Sequence, residues 1–229
     1  MELGVVAAVL GAAFLHAFWN FLVCRADDKA LGMASMMIGH VPLAVLALLW
    51  MGLPPMASAP YVLMSALLHV GDSMFLLHAD RFGKLSEIYP IARGASPILI
   101  TLGTVTFLPD SLTLYQMLGV LLVSTAILAY EFAQFRKTTI NRKGIVLALI
   151  PGYFIAAYTI VNGTGTRVAQ NAMTYFGMMS ICRLVVLVIY FRCFHNVVAE
   201  RVFTEGWRIC LVGGSASFIA YAIVFWACL

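Results

Sequence analysis

The chain has 229 residues, of which 62% are hydrophobic and only 10% charged, with a formal net charge of +4. Soluble domains run at about 45–50% apolar residues, so a mean hydropathy of +0.96 excludes a soluble globular domain and makes the lipid bilayer the first partner. The basic residues sit in short segments between apolar runs, which is how membrane topology is set and argues against nucleic acid as a partner.

Crossing a hydrocarbon core about 30 Å thick takes about 20 apolar residues in a helix, and such runs recur along the whole sequence. The first, 4–23, carries His16, Trp19 and Asn20 at its inner end, with Gly4, Ala8 and Ala12 spaced as a small-residue packing face. The second, 31–52, holds one strongly polar group, His40. The third, 60–79, holds His69 and Asp72, three residues apart and so on one helix face. The fourth, 85–108, contains Tyr89 and then Arg93 bracketed by Pro90 and Pro97, prolines that predict a kink. After the Pro109-Asp110 turn, Thr113-x-x-Gln116 reads as a capping box opening the fifth run, 113–134. The sixth, 144–161, has Tyr153 and Tyr158; the seventh, 173–192, has Arg183 at its centre. The eighth, 207–229, includes Gly213-Gly-Ser-Ala-Ser217, a second small-residue face.

These eight continuous runs predict an all-α polytopic transmembrane helix bundle, since in lipid each backbone group must be satisfied within its own helix or a closed barrel. A barrel would need short alternating segments of about 10 residues. Met1-Glu2 offers no basic leader region and the first run is too long for a signal peptide. The five cysteines form no Cys-x-x-Cys pair, so neither a disulfide framework nor a metal site is expected, and no cofactor is implied.

Lys and Arg counts orient the bundle. Segments after odd-numbered runs hold Arg25, Lys29, Arg81, Lys84, Arg136, Lys137, Arg142, Lys143, Arg192, Arg201 and Arg208, whereas those after even-numbered runs hold Arg167 alone. By the positive-inside rule the N-terminus is expected outside. The polar stretch 135–143 divides the chain into a five-run unit, 1–134, and a three-run unit, 144–229. An odd number of spans per unit predicts an inverted repeat, as in many membrane carriers, and Gly11–Ala17 loosely matches Gly152–Tyr158.

An ionised side chain near mid-bilayer costs at least about 2.5–3.5 kcal/mol, so such residues usually face a polar cavity. At 1.5 Å per helical residue, His16, Asp72 and Arg93 all fall roughly 4–5 Å to the inner side of the bilayer centre, with His69 near the midplane. That common depth predicts one central site. A guanidinium at Arg93 suits a carboxylate or phosphate, and His69 with Asp72 suits a shared proton; the competing readings are a salt bridge between Arg93 and Asp72 or a mutually neutral His69–Asp72 pair. His40 reads as structural, and Arg183 is balanced between lining a cavity and snorkelling. Asn162-Gly-Thr164 matches a glycosylation sequon and is set aside as a chance match.

Tyr89-Pro-Ile-Ala-Arg-Gly-Ala-Ser-Pro97, Gly103, Phe107-Leu-Pro-Asp110 and Gln116-Met-Leu-Gly119-Val-Leu-Leu-Val123 together resemble the second half of an EamA-type repeat. The opening His16-Ala-Phe-Trp-Asn20 is similar to the first-span motif of one branch of that family, the drug/metabolite transporter superfamily. The likeness runs over essentially the whole chain, strong in the first half and weaker in the second. It implies an inner-membrane permease for a small polar metabolite, built from two inverted five-helix halves, working by alternating access with proton coupling or exchange and without catalysis. By position, His16, Trp19, Asn20, Tyr89 and Arg93 would line its cavity, joined by His69 and Asp72 from the depth argument above. Members usually have ten helices, so the last two are expected to be lacking here, and a homo-oligomer or a partner chain would complete the bundle. Two other classes remain open: a non-transporting remnant or accessory subunit, and an intramembrane metalloenzyme using His16, His69 and Asp72. The second lacks the His-Glu-x-x-His spacing that sets ligands on one helix face.

Overall fold

A computed structural model describes residues 3–26, 28–78, 85–107, 113–135, 142–194 and 198–227. The described residues are helical throughout, joined by turns, with no strand among them. In chain order the helices are α1 (Leu3–Cys24), α2 (Lys29–Met51), α3 (Ala59–His78), α4 (Leu85–Phe107), α5 (Leu114–Phe135), α6 (Arg142–Ala169), α7 (Ala172–Phe194), the short α8 (Val198–Thr204) and α9 (Gly214–Trp226), the last preceded by a π-helical turn, Ile209–Gly213. The described residues of each of the eight apolar runs fall on helix, terminal residues such as Gly52 and Thr113 aside. Among the described residues, four stretches are long and apolar enough to cross a membrane: Leu3–Cys24, Leu31–Met51, Ala172–Tyr190 and Ile209–Trp226. Large apolar side chains such as Phe14, Trp50, Leu122 and Trp226 lie on the outside, a surface suited to lipid rather than water.

Local chemistry explains where the helices begin and end. Asp28 Oδ1 accepts the Leu31 N–H at 3.1 Å and caps α2. Gly52, at φ +84°, closes the same helix in the left-handed region that glycine enters freely. Thr113 N–H donates to Gln116 Oε1 at 2.8 Å, and Gln116 N–H returns to Thr113 Oγ1 at 3.4 Å, the reciprocal box read from the sequence. Asn171 Oδ1 accepts the N–H groups of Met173 and Thr174 and caps α7.

Two compact units emerge, one from residues 1–67 with 162–229 and another from 68–161. In the first, α2 packs along α7 and α1 along α9. Ala44 clusters with Phe176 and Met179, while Ala34 and Met37 cluster with Leu187; α2 and α7 therefore run antiparallel. The tightest crossing joins α2 to the π turn and α9. A Cβ on Gly39 would lie 2.8 Å from the Cys210 carbonyl carbon and 2.9 Å from Gly214 Cα, so Gly39 and Gly214 bring two backbones together as the small-residue pattern predicts. The other expected small-residue face is realised only in part. Ala12 is buried, but Gly4 has nothing near its Cβ position because the start of α1 is exposed. In the second unit, Gly94 of α4 meets Leu128 of α5, and Gly71 of α3 meets Phe154 of α6.

The largest difference in a boundary falls in the sixth run, expected to end at 161: α6 continues to Ala169. Asn162 lies inside this helix at 8% exposure, where its Oδ1 accepts the hydroxyls of Ser65 (2.5 Å) and Tyr175 (3.3 Å). Satisfying that amide internally keeps the polar stretch helical. Arg167 consequently sits in the last turn of α6, favourably placed against the helix dipole, rather than in a loop.

Candidate functional site

Polar groups far from water must find partners or function, so the buried polar atoms of each unit define its candidate chemistry. In the first unit, His40 is the middle residue of Lys29–Met51 and Arg183 the middle residue of Ala172–Phe194. Both are buried, at 1% and 7% exposure, in two helices that pack along one another. Two antiparallel spans thus place a cation and an imidazole at the same mid-depth. The His40 ring packs against Phe176 of α7 (5.9 Å) and Phe218 of α9 (5.8 Å), which lie 4.9 Å from each other and so meet it from one side. Its Nε2 is buried with no hydrogen bond, as are the hydroxyls of Ser180 and Ser217. Ser180 follows Phe176 by one turn and precedes Arg183 by three residues, sharing their face of α7; Ser217 adjoins Phe218.

An aromatic path connects this layer to α1. Phe176 stacks near Tyr221 of α9 (5.8 Å), Tyr221 meets His16 (5.7 Å), and His16 meets Trp19 edge-on (4.9 Å). His16 and Trp19, both expected at a site, are brought together here. Asn20 spends its amide differently: Nδ2 donates to the His16 carbonyl at 2.7 Å, within its own helix.

In the second unit the His69 ring stacks on Tyr158 of α6, centroids 3.9 Å apart and planes 20° from parallel. His69 is 5% exposed, and its carbonyl accepts the Ser73 hydroxyl. Asp72 Oδ1 is buried one turn further along α3. The side chains of Tyr89 and Arg93 lie outside the described residues, although the backbone of α4 runs as a continuous helix through both.

From the sequence, Arg93 carries the most weight and His40 reads as structural. The signal for the His40–Arg183 layer was their shared central position in two spans, which only a known α2–α7 pairing converts into proximity. The fold and these polar layers define an all-helical membrane protein with ionisable groups at mid-depth. The sequence matches no family model, and no curated protein matches it significantly.

Proposed function

We propose that this chain is a secondary carrier that moves a small polar metabolite across the inner membrane by alternating access. It is a non-enzymatic permease of the EamA-like kind, with eight spans in a five-plus-three inverted arrangement and its N-terminus outside. The observation that carries this reading is the mid-span pair His40 and Arg183, buried in two helices long and apolar enough to cross a membrane. Such groups are costly unless they line a route for something polar. The His69–Asp72 pair adds a proton-exchanging element, Arg93 adds an anion-holding one, and the resemblance around Tyr89–Pro97 points to the same class. The two helix groups would rock about the mid-depth site and expose it to each side in turn.

The test is uptake into proteoliposomes loaded with a metabolite mixture, read by mass spectrometry of the trapped solutes. Accumulation or counterflow of a specific small polar solute above protein-free vesicles is expected. Vesicles whose contents match the protein-free control across the whole mixture would remove the reading.

A further inference from the structure

We propose that the end of the first unit where α1 stops and the π turn begins is a docking surface for an anionic phospholipid, its phosphate held by Arg25 and Arg208. The proposal needs only a chain lying in a bilayer and is independent of the carrier reading. Packing brings the two arginines to one end. His16 of α1 meets Tyr221 of α9 at 5.7 Å, and Leu22 Cδ1 lies 3.7 Å from where a Cβ on Gly213 would sit. Ascending α1 is therefore descending α9, and the two helices run antiparallel. Arg25 follows Leu22 by three residues and Arg208 precedes Gly213 by five, so both lie roughly 4–8 Å beyond that contact in the same direction. An ion-pair chain ties the same two segments together. Arg201 holds Asp28, three residues after Arg25, and Glu205, three residues before Arg208, at 2.9 and 2.8 Å.

That chain also settles the local charge. Both described carboxylates at this end are taken by Arg201, whereas among the described residues Arg25 and Arg208 form no ion pair. Each instead lies over its own aromatic ring. The Arg25 guanidinium is 4.6 Å from the Phe21 centroid and that of Arg208 is 5.3 Å from Trp207, and both rings are half exposed. A guanidinium stacked by its face keeps its N–H edge for an anion, and phosphate accepts that fork two-pronged. Aromatic rings beside arginines are the chemistry of the membrane–water boundary. Exposed apolar side chains continue away from each arginine, Phe18 and Phe14 along α1 and Leu211 in the π turn, and offer acyl chains a surface. Two uncompensated cations favour a headgroup whose phosphate keeps its charge, such as phosphatidylglycerol, over phosphatidylcholine, whose own cation offsets it.

The test is native mass spectrometry of purified, delipidated full-length protein, titrated with phosphatidylglycerol and with phosphatidylcholine of the same acyl chains. One phosphatidylglycerol per chain should be retained at concentrations where phosphatidylcholine is not. Arg25→Gln and Arg208→Gln, both changes at exposed side chains, should each weaken that retention about fivefold. The double variant should hold the two lipids equally. Arg167→Gln, which removes the same charge from the last turn of α6, should bind as the wild type does. Inorganic phosphate and glycerophosphoglycerol carry the charge without acyl chains and should not displace the lipid; these arms decide the matter even if an arginine variant misfolds. Equal retention of both lipids by the wild type overturns the proposal, as does a double variant that keeps the preference. Displacement by inorganic phosphate as effective as by phosphatidylglycerol would show an ion site and overturn it too.

Discussion

Replacing Gly39 with alanine tests the helix crossing that frames the mid-depth layer. The new methyl would sit 2.9 Å from Gly214 Cα and 2.8 Å from the Cys210 carbonyl carbon, and closer still to its oxygen, where ordinary contact begins at 3.4 Å. All of these are backbone atoms, so no rotamer change relieves the overlap and α2 must part from the π turn and α9. Overpacking of this kind costs about 1–3 kcal/mol, while alanine recovers about 0.5–1 kcal/mol over glycine within a helix. With backbone atoms alone in the way the upper end of that range applies, the net loss is about 2 kcal/mol, and at about 2–4 °C per kcal/mol for a chain of this size the melting temperature should fall by about 4–8 °C. Thermal unfolding in detergent, followed by intrinsic tryptophan fluorescence, reads the change. Gly11→Ala in α1 is the control, since its Cβ position is empty to 4 Å, and it should melt at or above the wild-type temperature. Equal melting of the two variants would refute the close backbone crossing.

At the α1–α2 connection, Asp28→Ala removes a helix cap and should cost about 1 kcal/mol, visible in the same melt. Asp28→Asn keeps a capping oxygen but weakens the 2.9 Å ion pair with Arg201, so it should lie between wild type and Asp28→Ala and lose its difference from wild type in high salt. Hydrogen bonding from Arg201 holds the Glu205 carboxyl below the usual carboxylate range, and hydrogen bonds to Glu205 and then Asp28 raise Arg201, which stays charged. A depressed carboxyl contributes stability that is present above its unfolded value and lost as pH falls through its folded value. Glu205→Gln should therefore melt below the wild type at neutral pH and converge with it as the pH falls through the acid range, and a difference that persists undiminished in acid would contradict the contact. Asn162, enclosed in α6, should acquire no glycan when the protein is made in microsomes, judged by endoglycosidase-insensitive mobility. Tyr175→Phe should cost about 0.5–1.5 kcal/mol by deleting one hydrogen bond to Asn162. Alkaline phosphatase and fluorescent-protein fusions at residues 53 and 139 should report outside and inside respectively, and the reverse pattern would invert the proposed orientation.

The sequence made the helices legible because each is a long apolar run whose ends carry recognisable chemistry, as Thr113 with Gln116 and Gly52 illustrate. It failed where a distant partner decides. Asn162, Gly163 and Thr164 look like a loop, yet the stretch is helical, with the Asn162 amide accepting hydroxyls from Ser65, 97 residues away, and from Tyr175. The short α8 was hidden in a polar connection: Val202 is its buried anchor, but the segment has only 7 residues. At mid-depth, His40 and Arg183 are each readable alone as structural, and what brings their helices together is the packing of α2 on α7, which the sequence does not display. The small-residue motif of Gly213–Ser217 was readable as a crossing, but its partner, Gly39, was not.

The most direct measurement is solute counterflow in proteoliposomes that hold the purified full-length protein. Exchange of a small polar solute above protein-free vesicles, lost in Arg183→Gln protein that is still folded, is the result expected. Exchange equal to that of protein-free vesicles for every solute tried would contradict the account.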